Sequence, residues 1–357
     1  MSELLVVISL TAHLLTMNLA SAGPLVCLWL RGRKGVDVEL ADQLGRSLAW
    51  LSLWAMVVGM FTGGLLLLTP SSEPMWEALD RFPAEAYRNA GLELLFSLVC
   101  LLVYAGGWRL FGQHRRLHAV FALLSATNLF YHFPPLMAVL GKLAANRSWT
   151  TTPIIDRPAL LELMARDNVI SLSAHFALAS IAVAGLTALW LLAGRGERNL
   201  ENAEARRVAR VTAGIALIST ILQLPVGMWV LATMSHASRA ALMGKSPLAS
   251  LLFLAGVLLA VLLIGRLLAV VLGEVRLREI RRAGWLLLLA TLLMTATMRL
   301  SRAHGYGGRP QEASSASCSP SSSCSCSPCS CSSSCSGSFC TSSNGPPGSL
   351  LALINSP

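Results

Sequence analysis

Residues 173–195 read SAHFALASIAVAGLTALWLLAGR, an unbroken apolar run with one histidine, His175, near its start. About 20 apolar residues are enough to cross a bilayer as a helix. Lipid offers the backbone no hydrogen-bond partner, so the segment must be helical. An imidazole inside such a span is costly. It is expected to face the protein interior, where a partner or ligand meets it.

The rest of the chain agrees with this reading. Of 357 residues, 54% are hydrophobic and 13% charged, and the mean hydropathy is +0.61. Soluble domains carry about 25% charged residues, so the composition excludes an ordinary soluble fold. The formal net charge of +10 comes from short basic clusters between apolar runs. That is the pattern of membrane-protein loops and argues against nucleic acid as a partner. The opening MSELLVVISLTAHLLTMN carries an acid where a secretory signal has its basic residues. It continues to Leu30 without a cleavage site, so it reads as a retained first span.

Eight stretches qualify as spans, at about 4–30, 47–69, 91–111, 117–142, 169–194, 208–234, 248–272 and 284–300. The expected fold class is therefore all-α, a polytopic transmembrane helical bundle occupying residues 1–303. The odd loops carry RGRKG, HRR, RGER with EARR, and RLREIRR, whereas the even loops hold about half as many basic residues. The positive-inside rule then puts the odd loops in the cytoplasm and both termini outside. The expected location is the cytoplasmic membrane of a bacterium.

Residues 304–357 change character and form a Ser/Cys-rich tail that includes ASSASCSPSSSCSCSPCSCSSSCSGSFC. With almost no apolar side chains it cannot bury a core and is expected to be disordered. Seven of the nine cysteines lie there, and Cys27 and Cys100 lie in spans. The Cys-x-Cys spacing permits a thiolate metal site. No histidine or acid accompanies the thiols, which favours plain low-complexity sequence or the out-of-frame end of a gene.

A rise of about 1.5 Å per residue converts position into depth. His13 lies about nine residues into the first span, His132 about ten below the outer end of the fourth, and His175 about six into the fifth. Three histidines from three helices thus share the outer half of the membrane, and Glu93 opens the third span near the same level. Neutral imidazole is a common axial ligand of haem, and bundle cores hold such cofactors. Histidines hydrogen-bonded to carbonyls or waters are the alternative. Metal transport is a third, with few acids or Cys/His clusters to favour it. His118, with His114 in HRRLH, sits beside arginines and reads as interfacial. A second haem level would need another histidine there, and none is seen. His236 and His304 fall outside the spans.

In order and spacing these segments resemble subunit I of the cytochrome bd quinol oxidases, over most of residues 1–302. ISLTAHLLTMNLASAG is similar to that family's first helix, and LSLWAMVVGMFTGGLLL, with Gly59, Gly63 and Gly64, to its second. GLELLFSLVCLLVYAGGWRL and RLHAVFALLSATNLF resemble the third and fourth helices. SAHFALASIAVAGLTALWLLAGR is the best match, and ILQLPVGMWV resembles the helix after it. The resemblance implies that His13 ligates one b-type haem and His175 a second, low-spin one. It implies that Glu93 matches a family acid near the haems and their proton route. His132 stands as a further candidate ligand, opposite His175 where the family has a methionine.

The departures bear on activity. The sixth loop is the short SHASRAALMGKSP where the family has a long quinol-binding loop, PLASLLFLAG holds no methionine, and the Gly-Arg-Gln-Pro-Trp signature is absent. The expectation is an electron-transfer subunit with one or two b haems, an oxidoreductase component working with other membrane subunits or a redox partner. It is not expected to be a quinol oxidase on its own. A haem-free scaffold subunit is the competing class, and a transporter ranks third. The orientation has a direct test in whole cells, with the native cysteines replaced. A cysteine in the fifth loop should be protected from an impermeant thiol reagent, and one at Ser238 should react. The reverse labelling would overturn the orientation.

Overall fold

The computed structural model describes residues 3–33, 37–69, 73–108, 110–111, 114–196, 200 and 202–306, with backbone alone at 147 and 302–306. These residues contain no strand. Eight helices are long and apolar enough to cross a membrane. They are α1 (Glu3–Gly32), α2 (Val38–Leu67), α4 (Ala84–Gly106), α5 (Arg115–Ala145), α7 (Asp167–Ala193), α8 (Ala203–Thr233), α10 (Pro247–Leu272) and α11 (Leu277–Tyr306). Short helices α3 (Glu73–Leu79), α6 (Arg157–Met164) and α9 (His236–Ala240) lie between spans. Phe61, Leu92, Ile218, Leu254 and Leu258 stand exposed on the outside of the bundle. So apolar a surface suits lipid and not water. The fold is that of an all-α, multi-pass membrane protein.

Several helices begin well before the apolar runs that announced them, at Val38, Ala84, Ala203 and Leu277. Polar first turns are good helix formers and are capped. Asp37 accepts from the Leu40 N–H at 2.7 Å and Asn202 from the Glu204 N–H at 3.0 Å. Apolar length marks the part in lipid, and the helix continues past it. The third span instead ends earlier than expected, because the chain turns at Gly107. The last helix runs to Tyr306, past the expected boundary at 303. The Ser/Cys tail beyond it lies outside the described residues.

The loops after α1, α4, α7 and α10 share one end of the bundle, called here the basic end. The other end carries a small cap built from α3, α6 and a 3-10 turn at Arg147–Trp149. Phe82, Val139, Leu143, Ile155 and Leu163 form its apolar centre. Arg81 donates to the carbonyls of Thr150, Thr152 and Pro153, holding the loop before α6 in place.

At the centre α1 and α7, the most buried spans, lie side by side. Successive spans reverse direction, so the first and fifth run the same way. Buried Ser180 of α7 donates to Asn18 Oδ1 of α1 at 2.9 Å, across 162 residues. The same shift carries His13 onto His175, Gly23 onto Gly185, Gly32 onto Gly194 and Arg33 onto Arg195. A shift two residues longer carries α2 onto α8. The packing repeats with the sequence. A Cβ on Gly23 would meet Ser52 Oγ of α2 at 1.9 Å, and one on Gly185 would meet the Ala216 backbone nitrogen of α8 at 3.1 Å. A Cβ on Gly63 would fall 2.9 Å from the His13 ring, and one on Gly227 3.7 Å from that of His175.

The outer helices repeat the pattern. α4 and α5 flank the first pair and α10 and α11 the second, while α5 touches α7 as α11 touches α1. The bundle is two four-span units in the same orientation, the arrangement of parallel repeats about the membrane normal. Small residues bring the helices of each pair together, since dispersion and polar contacts drive association in lipid. Replacing Gly185 by Val should therefore cost about 1–3 kcal/mol through overpacking against backbone that cannot yield. Gly265, with open space beside it, should tolerate the same change far better. Thermal unfolding in detergent compares the two, and equal effects would contradict the packing.

Candidate functional site

Because Asn18 and Ser180 are bonded, the residues five before each, His13 and His175, lie at one depth, about 7.5 Å nearer the capped end. Around them the packing loosens. Residues 12–17 of α1 and 172–179 of α7 are all partly accessible, whereas 18–24 and 182–186 are wholly buried. A helix with one lipid-facing side alternates between buried and exposed with a period of 3.6. Eight consecutive half-buried residues on the most buried span require gaps on several faces at once. Native interiors are close-packed, with few voids. The half of the bundle that holds the histidines is built differently from the half below.

The two rings are held differently. His13 Nδ1 lies 2.8 Å from the Gly59 carbonyl of α2, which fixes it as donor and leaves Nε2 as the lone pair. A ligating histidine almost always donates its other N–H in this way. His175 Nδ1 is buried and has no hydrogen-bond partner. Leaving such a group unmade costs about 1–3 kcal/mol. The place of Gly59 in the second unit is taken by Gln223, whose side chain donates to the Ser219 carbonyl of its own helix at 3.5 Å.

His132 and Glu93 sit apart from this pair. Phe130 of α5 faces Phe176 of α7, ring centroids 6.3 Å apart. His132, two residues on and so near the far side of the helix, has its Nε2 3.9 Å from Glu93 Oε1 of α4. Asn128 stitches the same two helices, donating to the Glu93 carbonyl at 2.9 Å and to Ser97 Oγ at 2.8 Å. The structure thus joins His132 to the acid and presents Phe130 towards His175's helix. Asn128 escaped the sequence reading, although an amide within a span is itself a signal.

At the basic end His118 is no interfacial residue, for it is 1% exposed. Arg31 of α1 can only donate, so its 3.0 Å contact with His118 Nδ1 makes Nε2 the protonated nitrogen, donating to the Tyr104 carbonyl at 2.7 Å. Arg31 also pairs with Asp42 at 3.1 Å and lies 4.6 Å over Trp108, whose indole N–H donates to Asp42 at 2.8 Å. Both nitrogens of His118 are occupied, which makes it a strut and not a ligand. Its neighbour His114 is exposed.

No protein-family model matches this chain, and no curated protein matches it significantly. Among the described residues no three or more His, Cys, Asp or Glu side chains gather as a metal-binding set. A metal held by side chains alone therefore finds no donor set there. A macrocycle that brings its own donors asks the protein only for axial ligands.

The two histidine environments separate in a simple experiment. Replacing His118 by Ala leaves the Tyr104 carbonyl without its donor and takes one partner from Arg31, which keeps Asp42, at about 1–3 kcal/mol for the lost buried hydrogen bond. Replacing His175 by Ala removes an unpaired group and should leave the apoprotein as stable or more so. Unfolding midpoints of the two variants should fall in that order, and the reverse order would refute the assignment.

Proposed function

We propose that the chain is a b-type haem-binding integral membrane protein that transfers electrons within a membrane respiratory complex, as its resemblance to cytochrome bd subunit I implies. The observation that carries this reading is the pair of half-buried runs on α1 and α7. They surround two histidines at one depth, each with a ring nitrogen that no described residue engages.

The residues fit the group. His13 is oriented by the Gly59 carbonyl with Nε2 available, and Gly63 lets the ring lie close to α2. His175 has a buried nitrogen that needs a partner, and Gly227 leaves room beside it. Bound haem would supply one-electron chemistry, while the protein supplies ligands, burial and orientation. The number of haems is one or two, by whether the two histidines serve one iron or two. Glu93 and His132, both 38% exposed and near each other, form the pair able to exchange protons with the capped side.

In this reading the basic end faces the cytoplasm of a bacterium and the termini lie outside. Partner subunits deliver and remove the electrons, because the short sixth loop offers no quinol site. The purified chain should not consume oxygen with a quinol donor.

Absorption spectra test the proposal. Wild-type protein should show a Soret band. His175→Ala should be present at near-normal level, since Ala is the more apolar residue and the span remains long enough. It should lose the low-spin component. His13→Ala should remove a different component or, if one iron is shared, the same one. His132→Ala should leave the bands and alter only proton-linked behaviour. A wild-type protein purified under haem-replete conditions without a Soret band would overturn the reading in favour of a scaffold subunit.

A further inference from the structure

The basic end holds a groove of about 1320 Å³ between α1, α8 and the short α10–α11 connection. Arginines line it at the basic end, and further along α8 its lining is apolar and open on the lipid side. On α8 the lining descends from Arg206 and Arg207 through Arg210 to Gly214 and Ile218, about eleven residues or roughly 16 Å of helix. Among the described residues one acid, Glu274, lines the groove, and it is paired with Arg276 at 2.6 Å. Arg33 lies 4.7 Å over Trp29, and Arg210 reaches the Gly273 carbonyl at 3.2 Å. The side chains of Arg206, Arg207 and Arg278 have neither a hydrogen bond nor an ion pair among the described residues.

The internal repeat shows that the groove is particular to the second unit. The matching face of α2 carries Asp42 where α8 has Arg206, Trp50 where it has Gly214, and Trp54 where it has Ile218. In the first unit Trp108 also packs onto Gly45, whose added Cβ would lie 3.1 Å from the indole, and Asp42 neutralises Arg31. The same frame carries an acid and two tryptophans on one side, and an arginine, a glycine and an isoleucine on the other.

We infer that this groove binds an anionic phospholipid, its phosphate among Arg206, Arg207 and Arg278 and an acyl chain along Gly214 and Ile218. Both halves of the groove are needed for the choice. A free phosphate would use the arginine end and leave the apolar lining idle. A neutral lipid would use the apolar lining and leave three cations unpaired. Basic pockets between spans recognise anionic headgroups in this way, and arginine suits phosphate because its planar fork donates two parallel bonds. Lipid binding here is independent of haem, since the groove lies at the other end of α1 from His13.

The test is native mass spectrometry of the full chain in detergent, titrated separately with phosphatidylglycerol, phosphatidylcholine and inorganic phosphate. Phosphatidylglycerol should bind at least tenfold more tightly than phosphatidylcholine. Removing three surface cations in the Arg206→Gln, Arg207→Gln, Arg278→Gln variant should weaken it by roughly a hundredfold, at about fivefold per charge. Gly214→Trp fills the groove without touching a charge and has open space for its Cβ, so it serves even if the triple variant fails to fold. It should reduce phosphatidylglycerol binding to the level of phosphatidylcholine. Equal binding of the two lipids would overturn the inference. So would displacement of the lipid by millimolar phosphate, which would mark a free-phosphate site, or wild-type affinity in Gly214→Trp.

Discussion

Asn18 and Ser180 meet where the two innermost spans cross, and their 2.9 Å hydrogen bond fixes the register of α1 against α7. A polar pair buried in a bundle has few other partners available, so slipping one helix by a turn would leave Asn18 unmade and Ser180 with only the Phe176 carbonyl of its own helix. Everything nearer the capped end inherits this register. It levels His13 with His175 and sets each against a glycine of the next helix. Gly23 and Gly185, five residues further on, close the two contacts below. One bond thus aligns two helix pairs whose sequences are otherwise free to drift.

Much of this fold can be read from composition. Lipid enforces helices of known minimum length, so eight apolar runs give eight spans. The helix ends were harder, because stretches such as VELADQLGRS and AEARRVAR are polar yet remain helical once capped. The short helices α3, α6 and α9 are helices of place, held by neighbours such as Arg81, and leave little periodic trace. The repeat was open to reading, as His, a small polar residue, Gly and a Gly-Arg end recur in one order. Seeing it requires the chain to be set beside itself at a single shift.

Side-chain roles divide in the same way. Depth alone, from the fixed rise per residue, put His13, His132 and His175 in one half of the membrane. It could not say which way His132 turns, since two residues along a helix reverse the facing direction. Phe130 rather than His132 looks towards α7. Nor could spacing distinguish His118 as a buried strut from His118 as an interfacial group, for that depends on Arg31, 87 residues away.

The differences between the repeats hold more information than their likeness. A shared frame makes equivalent positions comparable without any outside reference, so each departure isolates one physical change. His13 has the Gly59 carbonyl as its partner, whereas His175, at the matching place in the second unit, has a nitrogen with none. Asp42, Trp50 and Trp54 of the first unit stand where the second has Arg206, Gly214 and Ile218. The unpaired nitrogen of His175 is buried and costs stability, whereas Arg206, Arg207 and Arg278 are exposed and solvated and cost little. The asymmetry therefore sets the two ends of the second unit apart from the first, with an unpartnered imidazole nitrogen at one end and a solvated cationic face at the other.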